Sequence, residues 1–279
     1  EPSKNVYAVA KEKNLSVIND FFTYELAFNL TNYQKKTDVI YAANVICHIP
    51  DLNNLFNGIE ELLNKKGVFI FEEPYLGDVI RLTSYDQIYD EHVYLFSLLS
   101  VGKISKLFDL EIIDAYPQIT HGGSMRYVIG RKGEHNISDN FKKLLSKEFE
   151  QGLDNFDTYL RFKDDCESSK KRLIKILNSF AEQDKKISGY AATSKSTTIL
   201  NYCKIGKDII NCIYDTTPIK IDKFSPGMHI PIKHHKNFNI ENTNVSLLFG
   251  WNHKKEIFEK EKNYSRNGGI WLSHISDLL

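Results

Sequence analysis

Apolar and polar positions in the first third of the chain alternate with the spacing of a strand, a helix and a second strand. The apolar run 38–46 predicts a buried parallel strand that opens onto a loop. Leucine and isoleucine recur at helical spacing over residues 52–63, and the Lys-Lys-Gly segment 65–67 is predicted to end this helix. Residues 68–71 predict a second buried strand that finishes in the Glu-Glu-Pro turn 72–74. The pattern is typical of a βαβ unit.

The pattern continues with a predicted helix around residues 101–108 and a hairpin made of the apolar runs 110–113 and 125–130. Gly122 and Gly123 lie between these two runs. Glycine permits a tight turn or a close approach of the backbone to another group. These elements are predicted to complete a first α/β domain over residues 1–135.

Residues 137–186 change in composition to Lys, Glu, Asp, Leu and Phe. Apolar positions from Phe141 to Phe156 recur every three or four residues, which predicts one long or two successive amphipathic helices. We interpret residues 136–186 as a helical connector. A coiled coil is the alternative, but the seam lacks strict heptads.

A second α/β half follows over residues 187–279. Residues 186–193 predict a strand and residues 194–202 the helix that it feeds. Further strands are predicted at 209–215, 246–252 and 268–275. Asp215 ends the predicted strand 209–215. Nucleotide-binding sheets often bind a ribose hydroxyl at this position. The predicted fold class is therefore α/β, with two α/β halves joined by helices.

Composition narrows the possible partners. The chain has 279 residues, 42% hydrophobic and 26% charged, with a formal net charge of zero, which is typical of a soluble globular protein and argues against nucleic acid or an anionic membrane surface as partner. It contains no apolar run long enough to span a bilayer and no basic-then-apolar leader, so we expect a cytoplasmic location. The four cysteines are scattered without zinc spacing, and we expect neither a metal site nor a disulfide framework.

The densest group of chemically active side chains is the run 85–92. Tyr89, Glu91 and His92 could supply a base near neutral pH, a group that orients it and a donor for a developing oxyanion. The alternative, that these are satisfied structural residues on a half-buried segment, is equally compatible with the run alone. The motif from His121 to Arg126 follows it closely and adds an imidazole and a guanidinium.

The loop before the helix at residue 194 is a second candidate site. Thr193, Ser194 and Lys195 combine small side chains, hydroxyls and a positive charge at a helix N-terminus, where unpaired N–H groups attract anions. The segment lacks the spacing of a Walker loop, so it does not indicate ATP hydrolysis. It predicts a phosphate or pyrophosphate site. An ordinary strand-to-helix loop with good capping residues is the alternative.

Six motifs together resemble a known family. They are the segments 1–3, 43–51, 84–92, 120–126, 189–195 and 226–231. In this order they are similar to the S-adenosylmethionine-dependent C-methyltransferases that build branched deoxysugars on nucleotide carriers, and the resemblance covers essentially the whole chain. It implies a partial Rossmann-like methyltransferase sheet, a helical connector and a second, smaller Rossmann-like domain.

The resemblance implies methyl transfer to the carbon next to the ketone of a nucleotide-linked 4-keto-deoxyhexose, through an enolate generated by a base. His92 matches the family's general base, and Tyr89 and His48 match residues near the ketone. Glu91 matches the neighbour that orients or charges the histidine. The open alternatives are an epimerase or isomerase that stops at the enolate, and a non-catalytic fragment that binds a nucleotide-sugar.

The resemblance also implies the ligand-binding residues. For S-adenosylmethionine it points to Glu1 at the end of the second strand of the family's sheet, on the ribose hydroxyls, and to Phe22 and Asn44 along the methionine and adenine parts. For the nucleotide-sugar it points to His121, Arg126, Thr193, Ser194 and Lys195, with the 226–227 turn beside them.

The family pattern starts upstream of the first residue of this sequence. It opens with a cysteine-rich zinc domain, followed by a strand and a glycine-rich loop that holds the methionine end of the cofactor. The resemblance therefore implies zinc only in that preceding part, and we expect this chain to be a fragment of a longer protein.

Overall fold

A computed structural model describes residues 1–33 and 35–275. In chain order its helices are α1 (Lys4–Glu12), α2 (Tyr24–Tyr33), α3 (Leu52–Leu62), α4 (Leu76–Leu82), α5 (Leu98–Lys106), α6 (Asp139–Glu150), α7 (Phe156–Ala181), α8 (Ser194–Cys203), α9 (Lys254–Lys260) and α10 (Lys262–Arg266). Its strands are β1 (Thr37–Ala43), β2 (Leu63–Pro74), β3 (Leu110–Gln118), β4 (Ser124–Arg131), β5 (Ile187–Tyr190), β6 (Ile213–Asp215), β7 (Ile232–His234), β8 (Val245–Leu248) and β9 (Ile270–Leu272).

The chain forms two compact units, and neither is continuous in sequence. The first comprises Glu1–Tyr75, Val93–Gln118 and Ser124–Asp154, and the second comprises Leu76–His92, Ile119–Gly123 and the chain from Asn155 onward. The predicted connector is thus divided, with α6 in the first unit and α7 in the second. The segments around Asp86 and His121, assigned from sequence to the first domain, pack with the second.

The first unit contains a four-stranded sheet in the order β1-β2-β4-β3. β1 and β2 are parallel and joined by α3, so the predicted βαβ unit is confirmed, and β3 and β4 form the predicted antiparallel hairpin. Asp51 caps α3, since its carboxylate accepts the N–H of Asn54 at 2.9 Å. Aromatic rings on the central strands fill the core: the rings of Phe71 and Tyr127 stack at a centroid distance of 4.6 Å.

Two predictions for the first unit were wrong in detail. β1 was expected to be buried, but Val39 and Tyr41 are 54% and 61% exposed, because β1 is the end strand of the described sheet and pairs only with β2. α3 was expected to continue to residues 65–67. It ends at Leu62 because Leu63 already pairs with Thr37 in the parallel ladder, which draws the backbone into β2.

The second unit contains a sheet of five parallel strands in the order β7-β6-β5-β8-β9. Successive strands are added on both sides of β5, which is the doubly wound order of Rossmann-like folds. The predicted α/β class is therefore confirmed. β6 is shorter than the predicted strand 209–215, because the N–H groups of Ile209 and Ile210 turn back to the carbonyl of Gly206.

The order of the sheet reverses between β5 and β8, and ligands of doubly wound sheets collect at the carboxyl ends of the strands at such a point. The strand core beneath is apolar, with Ile187, Ile213 and Leu247 at most 2% exposed. Within the described part of the chain all four cysteines are buried and unbridged. None of the helices described has the length and apolarity needed to cross a bilayer.

Candidate functional site

A cavity of about 470 Å³ lies at the carboxyl edge of the second unit's sheet. The segments that follow β5, β6 and β8 contribute Ala191, Thr216 and Gly250 to its wall. Five residues predicted from sequence also line it: Tyr89, His121, Thr193, Ser194 and Lys195. The structure therefore brings together residues from three separate motifs, which lie far apart in sequence.

The N-terminus of α8 forms one side of the cavity. Thr193 is the N-cap, and its hydroxyl accepts the N–H of Ser196 at 3.2 Å. The N–H groups of Ser194 and Lys195 belong to the first turn and have no acceptor within the helix. Together with the helix dipole, they present partial positive charge to the cavity.

Asp215 shapes the loop that precedes α8. Its two carboxylate oxygens accept the N–H groups of Ala192 at 2.6 Å and Thr217 at 2.7 Å. Lys220 donates to the carbonyl of Ala192 at 2.7 Å and lies 3.8 Å from the same carboxylate. Ala191 adopts a left-handed backbone, with φ of 73°. The acid at the end of β6 is therefore engaged by the loop that follows β5, where the sequence alone suggested a contact with ribose.

Lys195 is a buried cation beside the cavity, with only 7% of its surface exposed. Its ammonium lies 4.9 Å from the centre of the Trp251 ring and donates to the carbonyl of His121 at 3.4 Å. Burial lowers the pKa of Lys195, and the charge of Asp86 opposes this shift.

Asp86 lies behind the cavity and is fully buried. Its carboxylate accepts the indole N–H of Trp251 at 2.7 Å and lies 3.1 Å from Nε2 of His274. Burial opposes ionisation of this carboxyl group, but His274, Lys195 and the indole donor outweigh burial and hold the pKa of Asp86 below its usual range. The carbonyl of His274 is in turn held by the hydroxyl of Ser169 at 3.0 Å.

The cluster of Asp86, Trp251 and His274 was not predicted from the sequence. The only signal was the density of polar and aromatic residues in the run 85–92, and we assigned its chemistry to the half after residue 88. That half is the more exposed one, whereas Tyr85, Asp86 and Gln87 are buried.

A backbone carbonyl holds the imidazole of His92. Nδ1 of the ring lies 2.8 Å from the carbonyl oxygen of Gln87. A carbonyl only accepts hydrogen bonds, so Nδ1 carries the proton and, in the neutral ring, Nε2 carries the lone pair. The ring of Tyr89 packs on the imidazole at a centroid distance of 4.0 Å.

The orienting role predicted for Glu91 does not match this geometry. Glu91 is exposed and makes no hydrogen bond or ion pair in the described ranges 1–33 and 35–275. Its neighbour His92 turns back toward the Gln87 carbonyl, which takes the orienting position. Adjacency in sequence pointed to the carboxylate, but the turn brings a backbone group of the preceding helical turn into reach.

Gln87 also connects the run 85–92 to the glycine motif. Its side-chain amide donates to the carbonyl of His121 at 2.5 Å. Gly122 follows with φ of 88°, and a Cβ atom there would overlap the ring of Trp251. The expectation of a tight turn or a close approach at the two glycines is confirmed, because the chain turns here against an indole.

The other predicted site residues lie in the first unit. Asn44 follows β1 with a left-handed backbone, φ of 53°, and its N–H donates to the carbonyl of Glu72 at 2.9 Å. His48 is exposed at the end of the short 3-10 turn Ile46–His48. Arg126, expected to act with His121 on the substrate, forms an ion pair with Glu72 at 2.8 Å, because these two residues are directly opposite on β4 and β2.

Glu1 and Phe22 were expected to line the cofactor pocket. Glu1 precedes α1, where its carboxylate accepts the N–H of Ser3 at 2.8 Å, and the residues before α1 belong to no strand of the described sheets. Phe22 is half-buried and packs against the core and Gly58, where a Cβ atom would lie 3.1 Å from its ring. Its aromatic ring therefore packs with the fold.

Comparisons with known proteins identify the family. Residues 119–275 match the family model described as the C-methyltransferase C-terminal domain, and residues 4–115 match one described as a methyltransferase domain. The chain belongs to the C-methyltransferase family. This confirms the predicted C-methyltransferase family, and the nucleotide-linked deoxysugar substrate belongs to the proposal below.

The chain is 28% identical to C-methyltransferase NovU of Streptomyces niveus over 99% of its own length, and it spans 66% of that relative. Among solved structures it is similar to a SAM-dependent methyltransferase of Anabaena variabilis, at 18% identity and a TM-score of 0.36, over 47% of this chain and 66% of the other. A methyltransferase of Clostridium acetobutylicum matches at 15% identity and a TM-score of 0.34, over 48% and 74% of the two chains.

Proposed function

We propose that this C-methyltransferase uses S-adenosylmethionine to methylate the carbon next to the ketone of a nucleotide-linked 4-keto-deoxyhexose. The observation that carries the proposal is the hydrogen bond from Nδ1 of His92 to the Gln87 carbonyl, 2.8 Å long. It fixes the tautomer of the neutral imidazole in which Nε2 is the basic nitrogen. A carbon acid next to a ketone requires such a base.

In the proposed reaction, His92 and Tyr89 of the second unit have different roles. Nε2 of His92 removes the proton from the carbon next to the ketone, and the electron pair moves onto the ketone oxygen to form an enolate. The phenol of Tyr89, whose ring packs on His92, donates to that oxygen. His48 was assigned near the ketone by the family resemblance alone, and we keep that role as part of the proposal.

We place the anionic part of the proposed substrate in the cavity beside α8. A nucleoside diphosphate carries negative charge that the N–H groups of Ser194 and Lys195, the hydroxyl groups nearby and the ammonium of Lys195 can bind. His121 lines the same cavity. This chemistry supports a nucleotide-linked substrate over a free sugar.

The first unit offers partial support for the cofactor. Asn44 fits, because its exposed amide follows the carboxyl end of β1, and two N–H groups of the next residues are fixed on Glu73 at 2.9 and 2.6 Å. Glu1 fits as an exposed carboxylate that can accept hydroxyl groups, whereas Phe22 is committed to packing. When bound, S-adenosylmethionine supplies an electrophilic methyl group.

The test is to incubate the protein with a thymidine-diphosphate 4-keto-6-deoxysugar in deuterated water, with and without S-adenosylmethionine, and to follow sugar mass and proton spectra. A carbon-bound methyl group in the product supports the proposal. Deuterium uptake without methylation at saturating cofactor would indicate an epimerase or isomerase instead. Binding without either change would indicate a nucleotide-sugar-binding protein and would contradict the proposal.

A further inference from the structure

The buried cluster of Asp86, Trp251 and His274 lies in the second unit, and none of its three residues has a role in the proposed reaction. Asp86 and His274 are at most 1% exposed. Removing a carboxylate from water carries a free-energy penalty about as large as the stabilisation that its partners return. An apolar side chain would fill this space without that penalty. Packing alone therefore does not explain a charged residue at this position.

The group that Asp86 faces across the indole is Lys195. The Trp251 indole donates to Asp86 from its edge, and its ring face receives the ammonium of Lys195. A buried ammonium loses its proton readily unless a negative charge lies nearby. Among the described residues, the other titratable groups around Lys195 lie along the cavity, with His274 behind Asp86. Those along the cavity are Tyr89, His121, Tyr190, Asp215, His253, Glu256 and Lys260.

Asp215 is a buried carboxylate that also lines the cavity, but it is already engaged. Its oxygens accept two backbone N–H groups, and its neighbouring cation is Lys220. Glu256 lines the cavity on the side of α9. Among the described residues, Asp86 is the acid whose charge acts on Lys195.

We propose that Asp86 is a positioning residue that keeps Lys195 charged and directed at the cavity, so that the anionic part of the substrate meets a permanent cation. The inference rests on the proposed function, because it assumes that the ligand of the cavity is an anion. Asp86 itself does not touch the ligand. It acts through Lys195 and through the buried indole between them.

A pH dependence follows that a purely structural role would not produce. In the wild type, Asp86 opposes the effect of burial on the pKa of Lys195. Without that charge the pKa falls further, so Lys195 loses its proton as the pH rises. Affinity for an anion should then decline toward alkaline pH in the variant and much less in the wild type.

The experiment measures binding of inorganic pyrophosphate by titration calorimetry between pH 6 and pH 9, for the wild type, Asp86→Asn, Lys195→Met and the double variant. All affinities are expressed relative to the wild type at the same pH, which removes the ionisation of pyrophosphate itself. We expect Asp86→Asn to lose about tenfold more affinity at pH 9 than at pH 6, the size of one lost charge-assisted hydrogen bond. Lys195→Met should be weak at every pH, and the double variant should be no weaker.

Glu148→Gln serves as the matched control, since it removes another fully buried carboxylate by the same acid-to-amide change in the first unit. Its pyrophosphate affinity should follow the wild type at all pH values. If Asp86→Asn also follows the wild type, or if it weakens binding further in the Lys195→Met background, the inference is overturned. The anion site would then not depend on Asp86.

Failure of the proposed anion site would be distinguishable, because the wild type itself would then not bind pyrophosphate or thymidine diphosphate. If Asp86→Asn does not fold, Asp86→Ser replaces it in the series. That change also removes the charge of the carboxylate, and it keeps an oxygen that can accept the indole N–H of Trp251. A pH-dependent loss of affinity in the same direction supports the inference, and a pH-independent affinity overturns it.

Discussion

His92 is oriented by a backbone carbonyl, and this choice of partner sets its chemistry. The carbonyl of Gln87 accepts the proton on Nδ1, so in the neutral ring the lone pair lies on Nε2. This is the tautomer that the proposed removal of a proton from carbon requires.

We expect His92→Asn to lower turnover by about 10²–10⁴-fold, the usual contribution of a general base, while substrate binding stays close to wild type. Deuterium exchange into the sugar and steady-state methylation measure the two quantities separately. His234→Asn is the matched control, since Nδ1 of His234 accepts the N–H of Lys236 and an asparagine oxygen can replace it. Turnover in His92→Asn equal to that control would contradict the assignment of the base.

Sequence motifs located Tyr89, His92, His121 and Lys195, because each belongs to a short run of unusual side chains. They did not locate Asp86 as a partner of His274, since the two residues are 188 positions apart and neither stands out locally. Nor did they show that Arg126 faces Glu72, which depends on the register of two strands. Local runs reveal candidate groups, whereas partners depend on the tertiary fold.

At the scale of the element, the turn around Gly122 combines a left-handed backbone with a close contact to Trp251. We expect Gly122→Ala to lower the free energy of unfolding by about 2–4 kcal/mol, from backbone strain and overpacking together. Gly268→Ala is the matched control in the same unit: it has the same φ of 88° but nothing within 4 Å of its Cβ position.

Urea denaturation followed by circular dichroism measures both glycine variants. Gly268→Ala should lose only about 1–2 kcal/mol, the strain of a left-handed alanine. Equal losses in the two variants would show that the Trp251 ring moves aside at no cost, so that the close contact adds nothing to the loss in free energy of unfolding.

Glu148 on α6 gives the first unit a pH dependence of unusual sign. Its carboxylate oxygens accept the N–H groups of Leu98 and Leu99 at the start of α5, at 2.6 and 2.9 Å. Burial nevertheless raises the pKa of Glu148 above its usual 4.5. The folded state therefore binds the proton more tightly than the unfolded state, and stability falls as the pH rises from the unfolded to the folded pKa.

The test compares free energies of unfolding of the wild type and Glu148→Gln across that range. We expect the wild type to lose stability relative to the variant as the pH rises from about 4.5, the ordinary value of the group, toward neutral pH. A constant difference would contradict the raised pKa. A difference that grows in favour of the wild type would indicate that the two N–H groups outweigh burial.

Hydrophobic periodicity predicted most of the described strands and half of the described helices, including the βαβ unit, the hairpin, α6 and α7, and the parallel strands of the second unit. It did not predict how buried β1 is or where β6 begins. Exposure of Val39 depends on the number of neighbouring strands, and β6 is shortened by a turn on Gly206. These properties depend on pairing partners, which a local pattern does not contain.

At the scale of the whole molecule, the two units interleave along the chain. The family match begins at residue 119, but the compact second unit also includes residues 76–92. Tyr85 from that segment packs its ring against Tyr202 at 5.2 Å, and its hydroxyl lies 3.6 Å from the sulfur of Cys203. The sequence could not predict this, because contiguous compositional boundaries suggest contiguous domains.

We therefore expect a fragment of residues 119–279 to lack cooperative unfolding, since removal of residues 76–92 opens the core beside α8 and leaves the His274 ring without its carboxylate. Near-ultraviolet circular dichroism and urea denaturation of the fragment and the whole chain make the comparison. A sharp unfolding transition in the fragment would show that the C-terminal family domain is independent of that segment. Addition of a synthetic peptide covering residues 76–92 should restore part of the signal.

The contact between Asp86 and His274 also has a consequence for biogenesis. The two residues are 188 positions apart, so at roughly 5–20 residues per second a ribosome needs roughly ten to forty seconds to pass from one to the other. During that interval the turn that holds His92 lacks the contact between Asp86 and His274. The buried surroundings of the proposed base are therefore completed late in translation, and a nascent chain stalled before residue 274 does not yet have them.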